Sequence, residues 1–88
     1  MEKRIGTAII VIEQSESVAL VNHALSRHNP IIFGRQGIPL HSKLLNIISV
    51  VLIGTTDEIG SLTGQLGKIA GVHVKSALIK NSDLQEKL

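Results

Sequence analysis

Apolar residues recur along this chain with two periods, one typical of strands and one typical of helices. Four segments rich in Ile, Val and Leu are alternating or continuously apolar, which predicts strands. They are residues 4–12, 31–38, 44–53 and 72–79. The segments between the first two strands and between the last two carry apolar residues three or four positions apart, which predicts two helices. The predicted order of elements is therefore βαββαβ.

Polar residues mark the ends of both predicted helices. Ser15 is placed to cap the first helix, Glu16 lies in its first turn, and the helix should end before Pro30. Thr55 and Glu58 have the spacing of a capping box at the start of the second helix. We therefore expect local sequence signals to set where each helix begins and ends.

This order predicts an α+β, ferredoxin-like fold, with a four-stranded antiparallel sheet and both helices on one face. The first and third strands are the most continuously apolar and should be central. The second strand contains Gly34 and Gly37 and is flanked by Pro30 and Pro39, which suits a sheet edge. The 88 residues make one domain, with a core of about residues 4–80 and a polar tail at 81–88.

Both faces of the central strands are apolar. In the third strand, Leu45, Ile47, Val51 and Ile53 should lie on one face and Leu44, Ile48, Val50 and Leu52 on the other. The first strand divides likewise, with Ile5, Ile9 and Val11 against Ala8, Ile10 and Ile12. Because exposing one such face forfeits about 1.5–3 kcal/mol per large aliphatic side chain, the pattern predicts a homodimer or homotetramer formed through the sheet face. The alternative is that the C-terminal segment, residues 83–88, folds back over this face, but it offers only two leucines.

Composition and charge narrow the possible functions. The net charge is only +2, and no run of basic residues is longer than Lys3-Arg4, so no basic arm is evident. The chain has no Cys, and the spacing of its four histidines does not match a metal motif. No apolar run approaches the ~20 residues that span a bilayer. We expect a cytoplasmic protein with no membrane partner, no metal and no other cofactor.

The string Gly34-Arg35-Gln36-Gly37 is the most distinctive local sequence. Glycine would let a ligand approach the backbone, and the Arg35 guanidinium could bind a carboxylate or phosphate through two hydrogen bonds. The same string also fits a bulge or bend on an edge strand, with Arg35 in solvent or paired with an Asp or Glu. A G-x-x-G loop also occurs in KH RNA-binding domains, but there it joins two helices, and here it lies in β-branched sequence.

Glycines are frequent in the second helix. Each of Gly60, Gly64 and Gly67 costs up to about 1 kcal/mol relative to Ala within a helix. We therefore expect this helix to pack closely on the sheet or on a neighbouring helix. Gly71 is suited to the position just after the helix ends.

Several strings together resemble one family of small proteins. They are residues 34–39, 47–51, 54–59, 62–67 and 71–77. On these strings the chain is similar, from residue 4 to 80, to the iron-only hydrogenase system regulators, which are themselves similar to ACT domains and to the C-terminal domain of the nickel-responsive repressor NikR. The resemblance implies a ferredoxin-like fold, oligomers built through the sheet and a regulatory role.

Two features of those relatives bear on the site. The nickel ligands and the DNA-binding domain of the repressor have no counterpart in this sequence. In ACT domains the ligand often lies near the turn between the first strand and the first helix, at a subunit interface. The resemblance therefore adds Ser15 and Glu16 of that turn to the candidate site.

We expect a non-enzymatic, oligomeric regulatory module with no catalytic residues, which senses a small ligand at a subunit interface and regulates an iron-only hydrogenase system. The candidate ligand-binding residues are Gly34, Arg35, Gly37, Ser15 and Glu16. One alternative is a structural or protein-interaction module without a ligand. KH-like RNA binding is the less favoured alternative.

Overall fold

The computed structural model of the protein describes residues 2–80 and residue 84. Its strands are β1 (Arg4–Ile12), β2 (Ile32–Leu40), β3 (Leu45–Gly54) and β4 (Val72–Leu78), and its helices are α1 (Val18–Arg27) and α2 (Thr56–Gly67). The strands form one antiparallel sheet in the order β2-β3-β1-β4. The predicted ferredoxin-like α+β fold is confirmed. The predicted polar tail lies outside the described residues except for residue 84.

Both helices cover one face of the sheet. The central strands contribute the buried residues Ala8, Ile10, Ile12, Ile48, Val50 and Leu52, and the helices contribute Val21, Ala24, Leu25, Ile59, Leu62 and Leu66. Direct pairing places Ile10 opposite Ile48, so their side chains share the covered face. This layer is the hydrophobic core, and it uses only one of the two apolar sets that the central strands carry.

The start of α2 is formed as predicted, but the start of α1 is not. The Thr55 hydroxyl accepts the Glu58 N–H at 3.1 Å, and a Glu58 carboxylate oxygen accepts the Thr55 N–H at 2.8 Å. Ser15, predicted to cap α1, instead begins a 3-10 turn, and α1 starts only at Val18. The buried Ser17 donates its hydroxyl to the Ala70 carbonyl at 2.7 Å, which fixes this turn against the chain before β4.

The glycines of α2 behave differently from the prediction. The helix ends at Gly67, earlier than predicted, and Gly71 lies in the turn that enters β4. Gly71 has the positive φ, 72°, that favours glycine, and a Cβ there would lie 2.7 Å from Gln14. A Cβ at Gly60, Gly64 or Gly67 would meet nothing within 4 Å, so close packing does not explain these glycines within the described chain.

The connection from β2 to β3 also corrects one prediction. A 3-10 turn covers His41–Lys43, and Leu44 then adopts a left-handed conformation with φ 57°. Leu44 was predicted to share one face of the third strand with Ile48, Val50 and Leu52, which the helices cover, but it lies before β3 and is 82% exposed. A turn residue is outside the alternation of the strand, so its side chain does not follow the predicted face.

Among the helices that the structure describes, none combines the length and apolar character needed to cross a bilayer.

Candidate functional site

The sheet face opposite the helices is lined with partly exposed aliphatic side chains. Strand register defines three rows across it, from β2 to β4: Ile38, Ile47, Val11 and His73; then Gln36, Ser49, Ile9 and Lys75; then Gly34, Val51, Thr7 and Ala77. We call this surface the open face. Ile9, Val51 and Ile38 are 48%, 46% and 44% exposed, and no described helix lies over them. The predicted second apolar face therefore exists.

Apart from Ser49 in the middle row, the polar groups on the open face lie at its margin or are internally bonded. The Thr7 hydroxyl donates to the Val50 carbonyl at 2.9 Å, so it adds no unpaired hydroxyl to the centre of the face. On the β4 side, His73 Nε2 lies 2.9 Å from a Glu13 carboxylate oxygen, and Lys75 is exposed. An apolar centre with a polar margin is the usual anatomy of a protein–protein interface.

The Gly34-Arg35-Gln36-Gly37 string lies inside the edge strand β2, next to a bulge. Ile32 pairs with Leu52 and Gly34 pairs with Val51, so Phe33 is one extra residue in β2. The predicted edge-strand irregularity is therefore present. The string is not a loop between two helices, so it does not form the RNA-binding loop of a KH domain.

Arg35 points to the helix side of the sheet. It pairs with Val50, a core residue of the covered face, and its guanidinium donates a hydrogen bond to Asn22 Oδ1 on α1. Nothing would contact a Cβ at Gly37 within 4 Å, whereas a Cβ at Gly34 would touch the Val51 side chain at 3.5 Å. Arg35 is thus held between strand and helix, while the backbone at Gly37 is open.

A groove runs between α1 and β2 beside Arg35. Its volume is about 270 Å³. The residues lining it are Leu25, Ser26, Asn29, Ile32, Phe33, Gly34 and Arg35. We call it the edge groove. Sequence reasoning identified Gly34 and Arg35 but missed Phe33 and Asn22, although the position of the single aromatic residue beside the string was a usable signal.

The other two candidate residues, Ser15 and Glu16, lie apart from Arg35. They belong to the 3-10 turn that follows β1, whereas the row through Arg35 and Val50 meets β1 at Ala8. Ala8 lies four residues before the end of β1, which is about 13 Å along the strand direction. Within the described residues, no hydrogen bond joins the two groups, so one subunit does not assemble all five residues into one site.

A second cleft, of about 340 Å³, separates the C-terminal end of α1 from the N-terminal end of α2. His28 lines it, with Nδ1 2.8 Å from the Ala24 carbonyl and Nε2 3.3 Å from the Ser61 hydroxyl. Because a carbonyl only accepts, a neutral His28 carries its proton on Nδ1 and accepts from Ser61 at Nε2. Sequence reasoning missed this pair because no local motif joins residues that are 33 positions apart.

Charge at this cleft is set partly by the capping box of α2. The Thr55 backbone N–H, and after it the Thr55 hydroxyl, hold the pKa of Glu58 below its ordinary value. Glu58 therefore remains an anion at the positive end of the α2 dipole over a wider pH range than a free glutamate. Its carboxylate accepts the Thr55 N–H and so stabilises the N-terminal end of α2, which is a structural role.

Two of the histidines contact polar side chains on other elements. Within residues 2–80, no three His, Asp or Glu side chains come together as a potential metal site. His73 contacts Glu13, and His28 contacts Ser61. These histidines thus take part in pairwise contacts between elements.

Two comparisons place the chain near one family. Residues 4–76 match the model of the TM1266-like family, described as "Iron-only hydrogenase system regulator, putative". The solved structure of the uncharacterized protein TM1266 from Thermotoga maritima is 36% identical, with a TM-score of 0.86 over 90% of this chain and 100% of that chain. No curated protein matches the chain significantly.

More distant structures share the fold alone. An unknown protein from Galdieria sulphuraria is 10% identical, with a TM-score of 0.61 over 90% of this chain and 46% of that one. CPII, a nitrogen regulatory PII-like protein from Thiomonas intermedia K12 bound to ADP, AMP and bicarbonate, is 14% identical, with a TM-score of 0.51 over 88% of this chain and 91% of that one.

Proposed function

Because the chain belongs to the TM1266-like family, described as "Iron-only hydrogenase system regulator, putative", we propose that it is a non-enzymatic, ACT-like regulatory module of an iron-only hydrogenase system. In this proposal, copies of the chain assemble through the open face as a homodimer or homotetramer. The module binds a small ligand close to the subunit boundary and acts in the cytoplasm.

The observation that supports assembly is the apolar open face. Four strands of about nine residues give a surface of roughly 19 by 30 Å, of the same order as the 800 Å² that each partner buries in a standard interface. Ile9, Ile38 and Val51 are each nearly half exposed there, and fully burying an aliphatic side chain contributes about 1.5–3 kcal/mol. A second copy of the chain supplies an apolar surface of matching composition.

Sedimentation of a matched pair of variants tests the assembly. Val51→Lys places a charge in the middle of the open face, so it should convert the oligomer to a folded monomer at low micromolar concentration. Leu20→Lys adds the same charge at another exposed aliphatic position, on α1, and it should leave the oligomer intact. A monomeric wild type, or a Val51→Lys variant that assembles normally, would overturn the proposed interface.

Genetics tests the regulatory role. In a host that makes an iron-only hydrogenase, deletion of the gene should change hydrogenase activity or transcript level per cell. The wild-type gene should restore both, and the Val51→Lys variant should not. If the deletion changes neither hydrogenase activity nor transcript level, the proposed regulatory role is wrong, even if the protein is an oligomer.

Ligand binding is the finer part of the proposal. The candidate residues are Arg35 with the backbone of Gly34 and Gly37, and Ser15 and Glu16, which can join them only across two subunits. A thermal-shift screen of amino acids, nucleotides and divalent metals should give a shift that Arg35→Ala abolishes. Nucleotides belong in the panel because CPII, which shares the fold, binds ADP and AMP. Silence across the panel would instead favour a structural or protein-interaction module.

A further inference from the structure

The edge groove places a cation, an exposed aromatic ring and neutral polar side chains around one small volume. We infer that this groove binds a small ligand in which a flat ring carries a carboxylate or phosphate group. This inference deepens the ligand-binding part of the proposed function. The groove lies on the helix side of the sheet, so it stays distinct from the open face through which we propose assembly.

The anionic group is recognised by Arg35. Asn22 accepts one of the guanidinium hydrogen bonds, which orients the group toward α1 and leaves its remaining N–H donors available. Among the residues that the structure describes, Arg35 is the only charged one that lines the edge groove, so no described carboxylate in the lining neutralises it. A planar guanidinium group that is already oriented and has no anionic partner is suited to binding a carboxylate or phosphate through two hydrogen bonds.

The flat ring is recognised by Phe33. This residue is the only Phe, Tyr or Trp in the sequence, yet it is 64% exposed at the bulge of the edge strand. A buried aromatic side chain removes about 150–250 Å² from water, so leaving this one exposed forfeits a large hydrophobic contribution. Phe33 and Arg35 are two residues apart on an extended strand, about 7 Å, so one small molecule can stack on the first and pair with the second.

The opposite wall of the groove sets the orientation of the ligand. Asn22 and Ser26 lie one helical turn apart on the side of α1 that faces β2, and Asn29 follows in the 3-10 turn Asn29–Ile31. Ser26 and Asn29 lie near the C-terminal end of α1, where the helix dipole is negative. That end therefore favours N–H groups of the ring, and the anion belongs at the Arg35 end.

A nuclear magnetic resonance titration gives a direct measurement, because the single Phe gives one set of phenylalanine ring signals. The probes are AMP and nicotinate, which join a ring to an anion, with adenosine and inorganic phosphate as the separate halves of AMP. AMP or nicotinate should shift the Phe33 ring signals saturably, and the matching half-probes should bind at least tenfold more weakly. The inference is overturned if neither ring-bearing anion shifts these signals at millimolar concentration.

Variants assign the two contacts. Arg35→Gln should weaken the binding of the anionic probes at least tenfold without changing the affinity for adenosine. Arg35→Lys should give an intermediate loss, because the positive charge stays but the planar pair of N–H donors is lost. Phe33→Leu should weaken the binding of every ring-bearing probe. Arg27→Gln removes a cation from the neighbouring cleft and should change nothing. Equal binding by wild type and Arg35→Gln would contradict the assignment.

The outcomes separate this inference from the proposed assembly. If the probes fail while wild type still sediments as an oligomer and Val51→Lys does not, only the ligand assignment falls. If wild type is a monomer while the Phe33 signals still respond to AMP or nicotinate, the proposed assembly is wrong and the proposed ligand binding in the edge groove is supported. A Phe33 signal that depends on protein concentration and not on probe would make Phe33 a subunit contact and overturn the ligand inference.

Discussion

Ile9 and Ile10 are neighbours in β1 with identical side chains and opposite surroundings. Ile10 is fully buried beneath the helices, whereas Ile9 on the open face is 48% exposed. Two helices of 10 and 12 residues suffice to cover one face of a four-stranded sheet. The difference teaches that apolar residues on the second face are not needed to complete the core, and we attribute them to association with another subunit.

The largest expected effect compares these two isoleucines. Ile10→Ala should lower the free energy of unfolding by about 2–5 kcal/mol, because it leaves a cavity in a closed layer. Ile9→Ala should cost less than about 1 kcal/mol when the protein is dilute, because its side chain already contacts water. Urea unfolding measures both.

Protein concentration makes this comparison sharper. The loss in Ile9→Ala should grow as concentration rises and subunits associate, since the side chain is then buried in the wild type. The loss in Ile10→Ala should not depend on concentration. Equal losses at every concentration would show that the two faces do not differ as described.

A second prediction tests how tightly β4 packs on the covered side. A methyl group added at Gly6 would overlap the Leu78 side chain and lie 2.7 Å from the Ala77 carbonyl oxygen. Gly6→Ala should therefore destabilise the fold by about 1–3 kcal/mol in urea unfolding, because the obstructing atoms include backbone. Gly37→Ala is the control, since a Cβ there meets nothing within 4 Å. A Gly6→Ala variant as stable as that control would mean that β4 moves freely.

The sequence predicted the sheet because its apolar periods are local. Strand β1 was predicted at its observed bounds, and the central strands were recognised from their continuous apolar runs. Leu44 was misplaced because a turn conformation, not strand alternation, sets its direction. The early end of α2 was missed because Gly71 serves the turn into β4, where it contacts Gln14.

The candidate site was predicted only in part, for a related reason. Gly34 and Arg35 stood out because their residue types are distinctive beside each other. Their partner Asn22 lies 13 positions away on another element, and the Ser17–Ala70 bond joins residues 53 apart. Such contacts leave no periodic trace in the sequence, because only the folded topology brings the residues together. The bulge at Phe33 likewise depends on pairing with β3.

A third prediction concerns the outer side of α2, which, like the open face, has empty space beside it. Gly64→Ala should raise the free energy of unfolding by about 0.4–1 kcal/mol, because Ala is the better helix former and its methyl meets no atom within 4 Å. Thermal unfolding of the dilute protein measures the gain. If Gly64→Ala instead loses stability only at high concentration, a subunit contacts this side of α2 and the open face is not the sole interface.

The smallest expected effect is a pH dependence at the start of α2, the helix that helps to cover the buried face. Because the pKa of Glu58 is lower in the folded chain than its ordinary value, the unfolded chain binds the proton more tightly. The stability that Glu58 contributes should be fully present above the ordinary pKa of glutamate and should be lost as pH falls through the lower folded pKa.

Glu58→Gln isolates this contribution, since Gln keeps a side-chain acceptor for the Thr55 N–H but does not titrate in this range. The stability difference between wild type and Glu58→Gln, measured by urea unfolding from pH 7 to pH 3, should be constant at first and then shrink as the carboxylate protonates. The shrinkage should be weaker in a Thr55→Ala background, which removes one of the hydrogen bonds that lowers the pKa. If the stability difference between wild type and Glu58→Gln does not vary with pH, the Glu58 carboxylate does not take part in the capping box. Helix α2 would then be held over the buried face of the sheet by side-chain packing alone.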